Sequence, residues 1–133
     1  MRIPMAEKST AIILFAHGSA VPEANRQVAL LAEEVSRLAG SPAACAFLEM
    51  AQPDLPTALA QAAGAGAQRI VVVPYFLTMG VHVCRDLPEL VERQRTLLPE
   101  VEIVVGQSLE GYSGMAELIV NRLKEILPED NPL

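Results

Sequence analysis

Four short apolar runs punctuate the chain: AIILFA (11–16), ACAFLEM (44–50), RIVVVPYFL (69–77) and VEIVVGQS (101–108). They are rich in β-formers and nearly continuous in hydrophobicity, the pattern of strands covered on both faces. The segments between them have helical spacing. Val28, Leu31, Val35 and Leu38 recur at that spacing within PEANRQVALLAEEVSRLAG, and Gly40 supplies a stop. A second helix is predicted through PDLPTALAQAAGAGA, with Pro53 in its first turn, and a third through CRDLPELVERQRTLLPE. The fourth, YSGMAELIVNRLKEIL, places Met115, Leu118, Ile119, Leu123 and Ile126 on one face.

Strand and helix in strict alternation imply an α/β protein with a parallel sheet and right-handed crossovers. Four such units make a small doubly wound, flavodoxin-like sheet, most simply ordered 2-1-3-4. There is no linker, repeat or low-complexity stretch. We therefore expect a single domain over residues 1–133, its core spanning about 11–127. Ligands of such sheets bind beyond the carboxyl ends of the strands.

That edge carries the candidate chemistry. The first strand ends at His17, Gly18 and Ser19 and the second near Glu49. The third ends at Tyr75, Phe76 and Leu77, followed by Thr78, Met79, Gly80, Val81 and His82. Both histidines of the chain fall there. Taken singly, a strand-end His often only hydrogen-bonds a loop carbonyl, and a Glu ahead of a helix can serve its N-terminus. Two imidazoles and a carboxylate from three strand ends instead match a divalent-metal site with open positions. A neutral imidazole can act there as ligand or as proton acceptor. Gly18 and Gly80 allow turns beside the histidines. Tyr75, Phe76, Leu77 and Met79 would form an apolar wall, and Arg85 and Arg26 are candidate carboxylate clamps. Cys84 is read as the start of a helix facing the core, and Cys45 as a small core residue. Neither a G-x-S-x-G elbow nor a glycine-rich phosphate loop follows any strand.

Composition narrows the partners. Half of the 133 residues are hydrophobic (51%), aromatics make up 4%, and the formal net charge is -6 with no basic run. This argues against nucleic acid or an anionic membrane as the main partner. Two cysteines make no disulfide framework. The longest apolar stretch, IVVVPYFLTMGV, is broken by Pro74 and Gly80 and is too short to cross a bilayer. No secretory signal opens the chain, so the cytoplasm is the expected compartment.

The ordered set of HGS after the first strand, FLEMAQPDLPTAL around the second and VVVPYFLTMGVHVCRDLPEL around the third resembles the small sirohydrochlorin cobaltochelatases. These are class II tetrapyrrole chelatases. The resemblance implies ATP-independent insertion of a divalent metal into sirohydrochlorin, in cobalamin or related tetrapyrrole biosynthesis. It implies cobalt first, with iron or nickel as alternatives, and no organic cofactor. It also implies that His17 and His82 are the active-site histidines that meet the metal, with Glu49 beside them. Ser19, Tyr75, Phe76, Met79 and Arg85 are candidate substrate contacts, and the short chain is expected to pair as a homodimer. Family members often carry a basic residue shortly after HGS, where this chain has Ala20 and Val21. Two rival readings are a phosphocarrier domain phosphorylated on His17 and a module that only holds metal for delivery.

Overall fold

Residues 8–133 are described by a computed structural model, with the side chain of His82 outside that description. The chain alternates without exception: β1 (Thr10–Ala16), α1 (Pro22–Ala39), β2 (Ala43–Phe47), α2 (Leu55–Gly64), β3 (Arg69–Pro74), α3 (Val81–Leu97), β4 (Glu102–Val105) and α4 (Met115–Ile126). All neighbouring strands pair in parallel, in the order β2-β1-β3-β4. This is the expected α/β architecture and strand order. The register aligns Ala44, Ile13, Val72 and Val105 in one row across the sheet.

After their first residues, Thr10 and Arg69, the central strands β1 and β3 are apolar because each has a neighbour on both sides and packing on its faces. One sheet face carries Ile13, Phe15, Ile70, Val72 and Ile103 into a core closed by Leu55, Ala58 and Leu59 of α2 and Leu87 and Val91 of α3. Burying a side chain such as Leu59 or Ile70 contributes about 1.5–3 kcal/mol each. α1 lies on the opposite face, against β1 and β2.

Several boundaries differ from the sequence reading. α1 buries Ala32, with Val28 and Val35 half-buried, whereas Leu31 and Leu38 of the expected stripe are exposed. The helix thus turns Ala32 and the two valines away from solvent and leaves Leu31 and Leu38 exposed. α2 begins one residue after Asp54, whose carboxylate accepts the Thr57 N–H at 2.9 Å, so Pro53 lies before the helix and not in its first turn. α3 starts at Val81, ahead of the expected Cys84, and so contains Pro88 in its interior. Cys84 is exposed and does not face the core, and Cys45 is half-buried. Strand pairing also stops short of the apolar runs: β2 ends at Phe47, β3 at Pro74 and β4 at Val105. α4 carries the expected apolar stripe but buries none of it.

Candidate active site

The site is built where β1 and β2 run out together. Past the strands the pairing continues for two more bonds, Leu48 N–H to the Ala16 carbonyl at 2.9 Å and Glu49 N–H to the His17 carbonyl at 3.1 Å. Phe47 N–H then donates to the Pro53 carbonyl at 2.9 Å, so segment 48–53 forms a short excursion with Glu49 near its tip. Met50 follows with a φ of 64°, a left-handed conformation that is an outlier for a bulky residue. Such strain tends to gather at functional sites.

Gly18 makes this arrangement sterically feasible. Its φ is +92°, and a Cβ there would lie 1.8 Å from the Glu49 carbonyl oxygen. The two loops therefore approach through the space that any other residue would fill. Gly80 needs no such freedom, since its φ is -70°.

The result is a side-chain pair. Nε2 of His17 lies 2.8 Å from Oε1 of Glu49, with each side chain about half exposed. An ionised carboxylate only accepts hydrogen bonds, so in the tautomer that pairs with it the hydrogen is on Nε2 and Nδ1 carries the lone pair. A carboxylate in this position fixes the tautomer and orients the ring. Phe76 buttresses the imidazole edge-on, with centroids 6.5 Å apart, and stands edge-on to the core ring of Phe15 at 6.0 Å. Tyr75 N–H donates to the Phe15 carbonyl at 2.7 Å, which aims this loop toward β1.

The remaining candidates divide. Ser19 belongs to the same loop, bracketed by Asn25: its N–H donates to Asn25 Oδ1 at 2.9 Å and its carbonyl accepts from Asn25 Nδ2 at 2.8 Å. The Ser19 hydroxyl accepts the Val21 N–H at 3.0 Å. Asn25 does not stand out in the sequence; its position one turn into α1 is the only signal. Tyr75 and Leu77 are exposed and Met79 is half-buried, so these residues do present apolar surface at the edge. Arg85 is exposed on α3, while Arg26 lies 3.7 Å from Glu23. His82 occupies the first turn of α3, two residues after Gly80; its side chain lies outside the described residues. A cavity of about 340 Å³ lies at the opposite end of β1 and β2, against α2, and has no part in this constellation.

An open parallel sheet with a histidine–carboxylate pair at adjacent strand ends defines the class: an α/β protein with its candidate chemistry on the carboxyl edge. The match to the CbiX family over residues 11–126 goes further, and the chain belongs to that family. It is 30% identical over 141 residues to the sirohydrochlorin cobaltochelatase of Methanopyrus kandleri, covering 90% of this chain and 99% of that one. Among solved structures it is similar to the CbiX protein from Marinobacter aquaeolei VT8 (31% identity, TM-score 0.77, 88% of this chain and 96% of that one). It is also similar to the sirohydrochlorin chelatase SirB from Bacillus subtilis subspecies spizizenii in complex with cobalt. There the identity is 27% and the TM-score 0.80, over 89% of this chain but only 51% of that chain. The phosphocarrier alternative finds no support among these relatives.

Proposed function

We propose that the protein inserts a divalent metal, cobalt first, into sirohydrochlorin without ATP, and that His17, Glu49 and His82 carry the reaction. The observation that carries this reading is the His17–Glu49 pair, at 2.8 Å on the carboxyl edge of a CbiX-family sheet. Insertion removes two pyrrole protons and strips water from the metal. With Nε2 held by Glu49, Nδ1 of His17 is free to take a proton or to ligate the ion. If it takes the proton, the imidazolium faces a carboxylate that stabilises it. His82, in the first turn of α3, is the second histidine of the reading. Phe76 keeps the His17 ring from turning, and Tyr75, Leu77 and Met79 offer apolar surface to the flat ring. Ser19 and Arg85 are assigned to the substrate carboxylates.

The chain works as a single-domain unit that pairs with a second copy, clefts facing, in the cytoplasm. The half-length relation to the SirB chain supports pairing, because one such chain has room for two units of this size. Among the described residues no helix is long and apolar enough to cross a membrane.

The test is an anaerobic absorbance assay with sirohydrochlorin and Co²⁺, Fe²⁺ or Ni²⁺. Enzyme-dependent spectral conversion, fastest with Co²⁺, is expected. Metal binding without turnover would leave only the delivery module.

A further inference from the structure

The connection from β1 to α1 runs from His17 to Val21, and its second residue is Gly18. Glycine is the least restrained residue of the backbone. Yet Gly18 must hold a φ of +92° for the Glu49 carbonyl to pass as closely as it does. On one side strand pairing supplies the hold, because Glu49 N–H donates to the His17 carbonyl at 3.1 Å. On the other side the loop has left the sheet.

There the hold comes from a side chain. Asn25, half-buried in α1, donates from Nδ2 to the Ser19 carbonyl at 2.8 Å and accepts the Ser19 N–H on Oδ1 at 2.9 Å. One amide thus engages both backbone groups of one residue. It fits only this way round, since the reverse sets donor against donor and acceptor against acceptor. The helix gains little from this choice of residue. Asparagine within a helix is less favourable than alanine, and the start of α1 has no side-chain cap hydrogen bond. The two bonds serve the loop.

We propose that Asn25 is a positioning residue of the candidate site: by holding both backbone groups of Ser19 it pins Gly18 from the side the strands leave free, and so keeps the His17 imidazole against the Glu49 carboxylate. The contacts are short and continuous. Asn25 holds Ser19, Gly18 lies between the loops, the His17 carbonyl meets Glu49 N–H, and His17 Nε2 meets Glu49 Oε1 at 2.8 Å. Rotation at an unpinned Gly18 would carry the ring off its partner. A misplacement of about 1 Å in a reacting group can cost about 10²-fold in rate. This rests on the reading of His17 and Glu49 as reacting groups and adds the residue that aims them.

Two variants test it. Asn25→Ala removes both bonds. Asn25→Asp keeps the size of the side chain and an acceptor for Ser19 N–H, but sets an oxygen against the Ser19 carbonyl. Its negative charge near the N-terminus of α1 favours the helix, so a loss in this variant is not a loss of helix. The first measurement is amide hydrogen exchange by NMR, without substrate. Glu49 N–H should exchange faster in both variants, roughly tenfold or more in Asn25→Ala. Gly40 N–H, bonded to the Ser36 carbonyl at 3.0 Å at the far end of α1, should keep its rate. Unchanged exchange at Glu49, or equal acceleration at Gly40, overturns the proposal. The second measurement is steady-state insertion of Co²⁺ into sirohydrochlorin. Asn25→Ala should lower kcat about 10–100-fold. In the His17→Ala background, where no imidazole is left to aim, it should change the residual rate little. Losses that multiply there overturn the proposal. A wild-type protein without insertion activity would refute the proposed function, while the exchange measurement would still decide whether Asn25 holds the pair.

Discussion

Gly18→Ala tests whether the close approach of the two loops builds the site. Two costs act on it. An L-residue held in the left-handed region costs about 1–2 kcal/mol. The new methyl would also sit 1.8 Å from the Glu49 carbonyl oxygen and 3.4 Å from the Phe47 Cβ, so the backbone of segment 48–53 must retreat. Forced repacking of that kind costs about 1–3 kcal/mol. The sum, roughly 2–5 kcal/mol, is a large part of the 5–15 kcal/mol typical of a domain. For a chain of this length it corresponds to a fall in Tm of roughly 6–20 °C. Gly40→Ala is the control. Gly40 has a φ of +71° with nothing within 4 Å of the built Cβ, so only the conformational cost of about 1–2 kcal/mol applies. Thermal melts followed by circular dichroism measure both variants. Insertion assays well below the melting range ask whether the His17–Glu49 pair has been pulled apart. Gly18→Ala melting no lower than Gly40→Ala, with insertion unimpaired, would refute the reasoning.

Other expected outcomes follow from the same geometry. Glu49→Gln keeps an acceptor for His17 Nε2 but removes the charge, and should slow insertion about 10–100-fold; an unchanged rate would remove Glu49 from the mechanism. His17→Ala should cost about 10²–10⁴-fold. The His17→Ala/His82→Ala double variant should be little worse than the worse single one, since residues acting on one exchange fail together; multiplying losses in steady-state rates would contradict this. Asp54→Ala should destabilise by about 1 kcal/mol at neutral pH through loss of the α2 cap. The Thr57 side chain and N–H hold the Asp54 carboxyl below the usual carboxylate range. Its contribution is therefore complete above the ordinary carboxylate pKa and lost as pH falls through the lower folded value, so urea melts of the two proteins should converge in acid. Leu59→Ala, at a fully buried position, should cost about 2–5 kcal/mol; a smaller loss would mean that α2 packs less closely than described.

The parts of the fold that are legible in the sequence are those set by burial. The four apolar runs and their alternation with helices lead to the parallel sheet, its order and the edge that carries the candidate site. The misplaced boundaries lie where hydrophobicity and hydrogen bonding part company. In ACAFLEM the regular strand ends at Phe47, past which only two more bonds to β1, from Leu48 and Glu49, are made before the chain turns back toward Pro53. The start of α3 carries no side-chain cap, only Gly80, so nothing in V-H-V-C announces it. Helical spacing draws the stripe of α1 through its leucines because they are the larger side chains, whereas the contact is made by Ala32. The meeting of His17 and Glu49 on one edge follows from topology. Their hydrogen bond does not, since it depends on the path of Gly18 and on the left-handed Met50.

The exposure of the His17–Glu49 pair has an electrostatic consequence. About half of each side chain faces water, and in bulk water two unit charges about 4 Å apart interact by only about 1 kcal/mol. Near a protein surface of lower dielectric the same pair interacts by about 4 kcal/mol. A flat macrocycle laid on this edge would displace that water and act as the missing wall of the site. Any charge that develops on the pair during the reaction would then be felt more strongly than in open water. The substrate, through its own bulk, would supply the medium in which the exchange of protons for metal proceeds.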